Sequence, residues 1–159
     1  MSGWRRAVSG GDFVAINYQP LSGREFPRFS GIKTFFRLPH VPVDADYDVG
    51  IVGVPFDGGA SYRPGTRFGP TRVREISSLG RVYHYGRMEA FTKKIKAADL
   101  GDCPTVPINA DMTYERIQKF YAGLLALGKR VISVGGDHSI ALPILREMRK
   151  KHGQPLAFI

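Results

Sequence analysis

The stretch from Arg130 to Gly153 constrains the fold more than any other part of the chain. Val131-Ile132-Ser133-Val134 is a short β-branched run that reads as a buried strand of a parallel sheet, and Gly135-Gly136 ends it. The polar residues after it open a helix. Ser139 is a good N-cap, Pro143 falls in the first turn, where a missing backbone N–H costs little, and Gly153 suits the position just past the end. His138 therefore stands at the carboxyl end of a strand, the edge of an open α/β sheet where ligands bind. Neutral imidazole is also the commonest metal ligand among side chains. Taken alone, a histidine in such a loop is more often a hydrogen-bonded loop residue than a ligand. Two glycines that permit a sharp bend, and an Asp137 able to orient a ring or a loop, make His138 a candidate metal ligand.

Upstream, the same grammar repeats. Asp48 to Val54 is a nearly continuous apolar run ended by Pro55, so a strand buried on both faces is expected. A glycine-rich loop follows from Phe56 to Gly69. It lacks the Gly-Lys-Ser/Thr ending of a phosphate-binding loop, because Gly69 is followed by Pro70, which has no N–H to donate. The alternative is a structural loop that places Asp57 or Arg67 near the sheet edge. Pro70 starts a short helix whose Val73, Ile76 and Leu79 share one face, stopping at Gly80. Residues 81–94 carry charge without a clear period, and His84 there reads as exposed or at the core edge. Ile95 to Leu100 is the next strand, and Asp102 after it reads as a turn former. A helix from about Thr113 to Leu127 is capped by Asp111 or Thr113 and carries an apolar stripe of Ile117, Phe120, Tyr121 and Leu124. Pro155 to Ile159 begins a fourth strand. Strands alternating with helices predict an α/β fold with a parallel sheet.

The ends and the charge limit the remaining possibilities. Residues 1–17 are expected to be a flexible tail, and 18–159 to belong to one domain. The arm before Pro42 is broken by Gly and Pro, yet holds Phe13, Tyr18, Phe26, Phe29, Phe35 and Phe36, which predicts an ordered arm packed on a surface or a partner subunit. No apolar run is long enough to span a membrane, and Cys103 as sole cysteine excludes an internal disulfide, so a reducing compartment, the cytoplasm, is expected. The net charge of +9 comes from scattered Lys and Arg with no nucleic-acid-binding pattern beside them, so nucleic acid is not an expected partner.

Four motifs occur in order: Gly53-Val54-Pro55-Phe56-Asp57, Gly65-Thr66-Arg67-Phe68-Gly69-Pro70, Ala98-Asp99-Leu100-Gly101-Asp102 and Gly135-Gly136-Asp137-His138-Ser139. Together they resemble the ureohydrolase (arginase and agmatinase) family. The leading stretch Leu21-Ser22-Gly23-Arg24-Glu25-Phe26-Pro27-Arg28-Phe29-Ser30-Gly31 is more like the agmatinase and guanidinobutyrase branch. The likeness spans residues 18–159, corresponding to the first half of a family domain.

The resemblance implies a three-layer α/β/α domain and two manganese ions bridged by a hydroxide. That hydroxide would attack the guanidinium carbon of a linear, agmatine- or 4-guanidinobutanoate-like compound, releasing urea and an amine. His138 matches the family's first metal-binding histidine, while Asp137 and Ser139 shape its loop. No other residue is assigned a catalytic or cofactor-binding role. The family's further ligands lie in an Asp-Ala-His-x-Asp segment, which would begin just beyond Ile159, and in a later Asp-x-Asp segment. The 159 residues alone are therefore expected to lack a complete active site and to release no urea. A homo-oligomer is also expected. The competing reading, from a different class, is a non-catalytic binding or assembly module that keeps the front half of the fold.

Overall fold

The structure, a computed structural model, describes residues 15–156. Most of the expected tail and the end of the expected fourth strand lie outside the described residues; Pro155 and Leu156 are in irregular backbone. In chain order the elements are β1 (Val49–Val54), α1 (Gly69–Ser77), β2 (Tyr83–His84), β3 (Glu89–Ala90), β4 (Ala97–Asp102), α2 (Ala110–Ala126), β5 (Arg130–Gly135) and α3 (Ala141–His152). β2 and β3 form a two-residue antiparallel ladder, which gives structure to a region whose sequence showed no period. The main sheet runs β4-β1-β5 with both pairings parallel, as the alternation of elements predicted.

β1 is the centre because its sequence suits burial on two sides. Val52 and Val54 face one way and join Ala98, Leu100, Ile117, Tyr121 and Leu124 in the larger core cluster. Ile51 faces the other way, onto Phe35, Leu38 and Ala97. Fully burying each such aliphatic side chain contributes about 1.5–3 kcal/mol. α2 and α3 lie against one another over the first face, and α1 lies on the second beside a single 3-10 turn at Phe35–Arg37. The result is an α/β/α arrangement with few strands. The pairing of β1 with β5 is unbroken from Val49↔Arg130 to Val54↔Gly135. Against β4 it slips, from Ile51↔Asp99 to Gly53↔Asp102, so β4 holds one extra residue. Gly101 takes that bulge at φ +77, a left-handed conformation that a side chain would strain.

Several expectations need correction. β5 is not buried on both faces: it sits at an end of the sheet and Ile132 is 53% exposed. Its run of β-branched residues records strand propensity, but no described strand covers its second side. α1 starts at Gly69, and Val73, Ile76 and Leu79 are all exposed, so the apolar face of α1 and the turn after it is uncovered among the described residues. β4 begins at Ala97 rather than Ile95. α2 is capped by Asn109, whose side chain accepts from the Met112 N–H, and not by Asp111 or Thr113. Thr113 is buried instead, where its hydroxyl exchanges hydrogen bonds with the N–H and C=O of Val106. Within the described part of the N-terminal arm, Tyr18 and Phe35 are packed inward but Phe26 and Phe29 are exposed; Phe13 lies outside the described residues.

Candidate active site

Three parallel strands bring three loops to one rim. The loops after β1, β4 and β5 start at Pro55, Cys103 and Gly136, and main-chain bonds lock them together. The Gly136 N–H donates to Val54 O (3.1 Å), the Asp137 N–H to Phe56 O (2.8 Å) and the Cys103 N–H to Gly53 O (2.8 Å). Gly136 is required by this closeness: a Cβ there would fall 1.8 Å from the Phe56 carbonyl oxygen. His138 opens a single 3-10 turn, His138–Ile140, directly after this junction, and it is exposed at the rim rather than folded into the core.

Ser139 does not cap α3 as expected, since Ile140 stands at its N-cap without a side-chain bond, and Asp137 caps the 3-10 turn before it. One carboxylate oxygen accepts from the Ser139 N–H (2.9 Å) and hydroxyl (2.5 Å), and the other accepts from the Gly59 N–H (2.7 Å). The same side chain thus shapes the His138 turn and ties it to the glycine-rich loop. That loop is pinned at its other end by Asp57, whose side chain is fully buried. Asp57 accepts from Arg67 Nε (2.5 Å), from the Gly65 N–H (2.6 Å) and from the Arg67 N–H (3.2 Å). The Arg67 bond first, then the Gly65 N–H, draws the Asp57 pKa from 3.8 down to about 2. Asp57 and Arg67 do lie beneath the sheet edge, but as partners of one another.

Asp102, read from sequence as a turn former, is the exposed member of an ion network whose other carboxylate, Asp99, is buried. Arg74 donates to Asp99 through Nε (2.8 Å) and Nη2 (2.9 Å) and to Asp102 through Nη1 (2.7 Å), with its guanidinium over the Phe35 ring. Asp99 also accepts from the N–H groups of Phe35 and Gly101. Cys103 is buried, and burial pushes its thiol up to about 12, so it offers no thiolate. Sequence reasoning missed Gly59, Phe56 and the Arg74 network. Only the density of Gly and Asp in those loops hinted at them, since each contact joins residues distant in the chain.

The residues present do not by themselves fit a two-metal centre. Among the described residues no three His, Cys, Asp or Glu side chains gather where an ion could be held. The rim carboxylates of Asp57, Asp102 and Asp137 are occupied by Arg67, Arg74 and the turn donors. A manganese pair needs several oxygen and nitrogen donors, and among the described residues this rim gathers no such set.

Residues 47–159 match the model of the arginase family. This chain belongs to the arginase family. It is 43% identical over 141 residues to the guanidinopropionase of Pseudomonas aeruginosa, covering 89% of this chain and 44% of that one. Among solved structures it resembles the proclavaminate amidino hydrolase of Streptomyces clavuligerus (TM-score 0.74, 38% identity, 80% of this chain and 42% of that one). It also resembles a variant of Trypanosoma cruzi formiminoglutamase with Mn2+ (TM-score 0.58, 26% identity, 67% of this chain and 36% of that one). The chain thus spans less than half the length of the arginase-family proteins it matches.

Proposed function

We propose that this chain is the front half of a manganese-dependent hydrolase acting on the C–N bond of a linear guanidino compound, agmatine- or 4-guanidinobutanoate-like, with release of urea and an amine. The observation that carries the reading is the placement of His138. It is exposed at the carboxyl rim, on a turn shaped by Asp137 and anchored to two neighbouring loops. Manganese is supported by the family and by the Mn2+ named with the formiminoglutamase structure. The metal donors other than His138 are expected from polypeptide beyond these residues, so no catalytic step is assigned to groups in this chain. A homo-oligomer is part of the same reading, supported by the exposed aromatic arm. No described helix is long and apolar enough to cross a membrane. A cytoplasmic setting is supported by the lone, reduced Cys103.

The test is a chimera in which this chain replaces the matching segment of the Pseudomonas aeruginosa guanidinopropionase, assayed for urea with manganese and a panel of guanidino compounds. Release of urea is expected, with a fall of at least about a hundredfold on His138→Asn, since loss even of groups that only support a metal ligand costs about 10–100-fold. The 159-residue chain alone should release none. A folded chimera without activity, or one indifferent to His138→Asn, would refute the assignment and favour a non-catalytic module.

A further inference from the structure

Beneath the N-terminal arm lies a cavity of about 420 Å³. Its walls are largely apolar, with Leu21, Phe26, Ile32 and Leu38 among them, and the first three of these are more than half exposed. The hydroxyls of Ser30 and Thr34 in its wall are satisfied within the chain, donating to Pro27 O and Leu38 O. Arg37 also lines it, and is not satisfied. Nη1 donates to Leu21 O (2.6 Å), while Nε is sealed from water without an acceptor. None of the described carboxylates pairs with this guanidinium. Burial first, and then the charge of Arg28, lowers the Arg37 pKa.

A half-buried guanidinium without a counter-charge is costly, and native interiors supply a partner for such groups. The backbone makes the placement more pointed. Phe36 and Arg37 stand at φ 54 and 59, consecutive left-handed conformations that residues with side chains rarely adopt. Their neighbours hold them there: Phe35 N–H donates to Asp99 and Phe36 N–H to Ser77 Oγ. Strain maintained by surrounding bonds is a feature of ligand-holding positions. Arg37 is therefore held, at a conformational cost, as the permanently charged group of a largely apolar cavity whose other polar side chains are Asn17, Gln19, Ser30, Thr34 and His40.

We propose that this cavity binds a small monocarboxylate bearing a short hydrocarbon chain, with its carboxylate on the open side of the Arg37 guanidinium and its chain along Leu21, Phe26 and Ile32. A planar guanidinium favours a carboxylate over other anions of similar size because its donors can engage two oxygens. The proposal does not depend on the hydrolase reading, and the cavity shares no lining residue with the rim.

The test is calorimetric titration of the whole 159-residue protein with sodium butanoate, butylamine and butanol, backed by ligand-observed saturation-transfer NMR. Butanoate is expected to bind at least tenfold more tightly than either neutral or cationic analogue, and Arg37→Gln to weaken it at least tenfold. The wild-type comparison of the three probes decides the matter even where the variant fails to fold. Equal binding of butanol would reduce the site to an oily cleft, and absence of butanoate binding at tens of millimolar would overturn the proposal outright. Asp12, the one acidic residue among the first fourteen, provides the last arm. If Asp12→Asn raises butanoate affinity tenfold, the chain's own carboxylate is the occupant and the small-molecule site falls.

Discussion

Gly136 shows how little freedom single residues have at this rim. A methyl group there meets a backbone oxygen that is itself accepting from Asp137 N–H, so relief requires separating the loops after β1 and β5. Gly136→Ala is expected to destabilise the fold by about 1–3 kcal/mol, the range of overpacking where backbone has to move, as measured by denaturant unfolding. A loss below about 1 kcal/mol would show that the loops are not locked as described. The pair of glycines and the position of His138 at a strand end were legible from the sequence, because strand propensity and turn chemistry are local. What Asp137 does was legible only in part. Its role in shaping the loop could be read, but its bond to Gly59 joins two loops brought together by sheet pairing, and no short window of sequence contains both. The same applies to Asp57 and Arg67, ten residues apart across a glycine-rich turn, and to Asp102, whose partner Arg74 comes from another element.

At the scale of elements, the glycine-rich loop behaves as a strap fastened at both ends by carboxylates. Asp57 makes one fastening pH-dependent. Its folded-state pKa of about 2 lies below the ordinary 3.8, so the clamp stabilises fully above 3.8 and is lost as the pH falls towards about 2. Thermal unfolding followed between neutral pH and about pH 2 should show this loss, and Asp57→Asn should both lower stability at neutral pH and flatten that part of the acid profile. An unchanged profile would remove Asp57 from the clamp. Helices and strands were found from sequence with errors that have physical causes. β1 was read correctly because both its faces are covered. β5 carries the same residue types but is covered on fewer sides, and composition cannot distinguish those cases. The cap of α2 was misplaced because Asn109 stands in an irregular Val106-Pro107-Ile108 approach, and Asp111 and Thr113 offered equally suitable chemistry two and four residues later. The bulge in β4 had only Gly101 as its signal.

For the whole molecule, the uncovered surfaces matter most. β5 pairs with β1 alone among the described strands, Ile132 is exposed beside the open edge, and α1 with the turn after it presents Val73, Ile76 and Leu79 outward. A strand with an unpaired row of N–H and C=O groups is prone to add another chain. The isolated 159-residue protein is therefore expected to self-associate with rising concentration in sedimentation velocity, and Ile132→Lys to suppress that association. Monomeric behaviour of the wild type at high concentration would contradict this. The fold class was readable because strand-helix alternation determines it, but which faces are covered depends on how the elements pack, which residue types alone do not record. The position of β1 has a last consequence, for the order of events in synthesis. The middle strand leaves the ribosome before either neighbour exists, and the later of its two partners, β5, emerges near the end of these residues. The apolar β1 is without β4 until residue 102 has emerged and without β5 until residue 135, and parallel pairing of strands so distant in sequence makes slow folding and reliance on chaperones the natural behaviour of this topology.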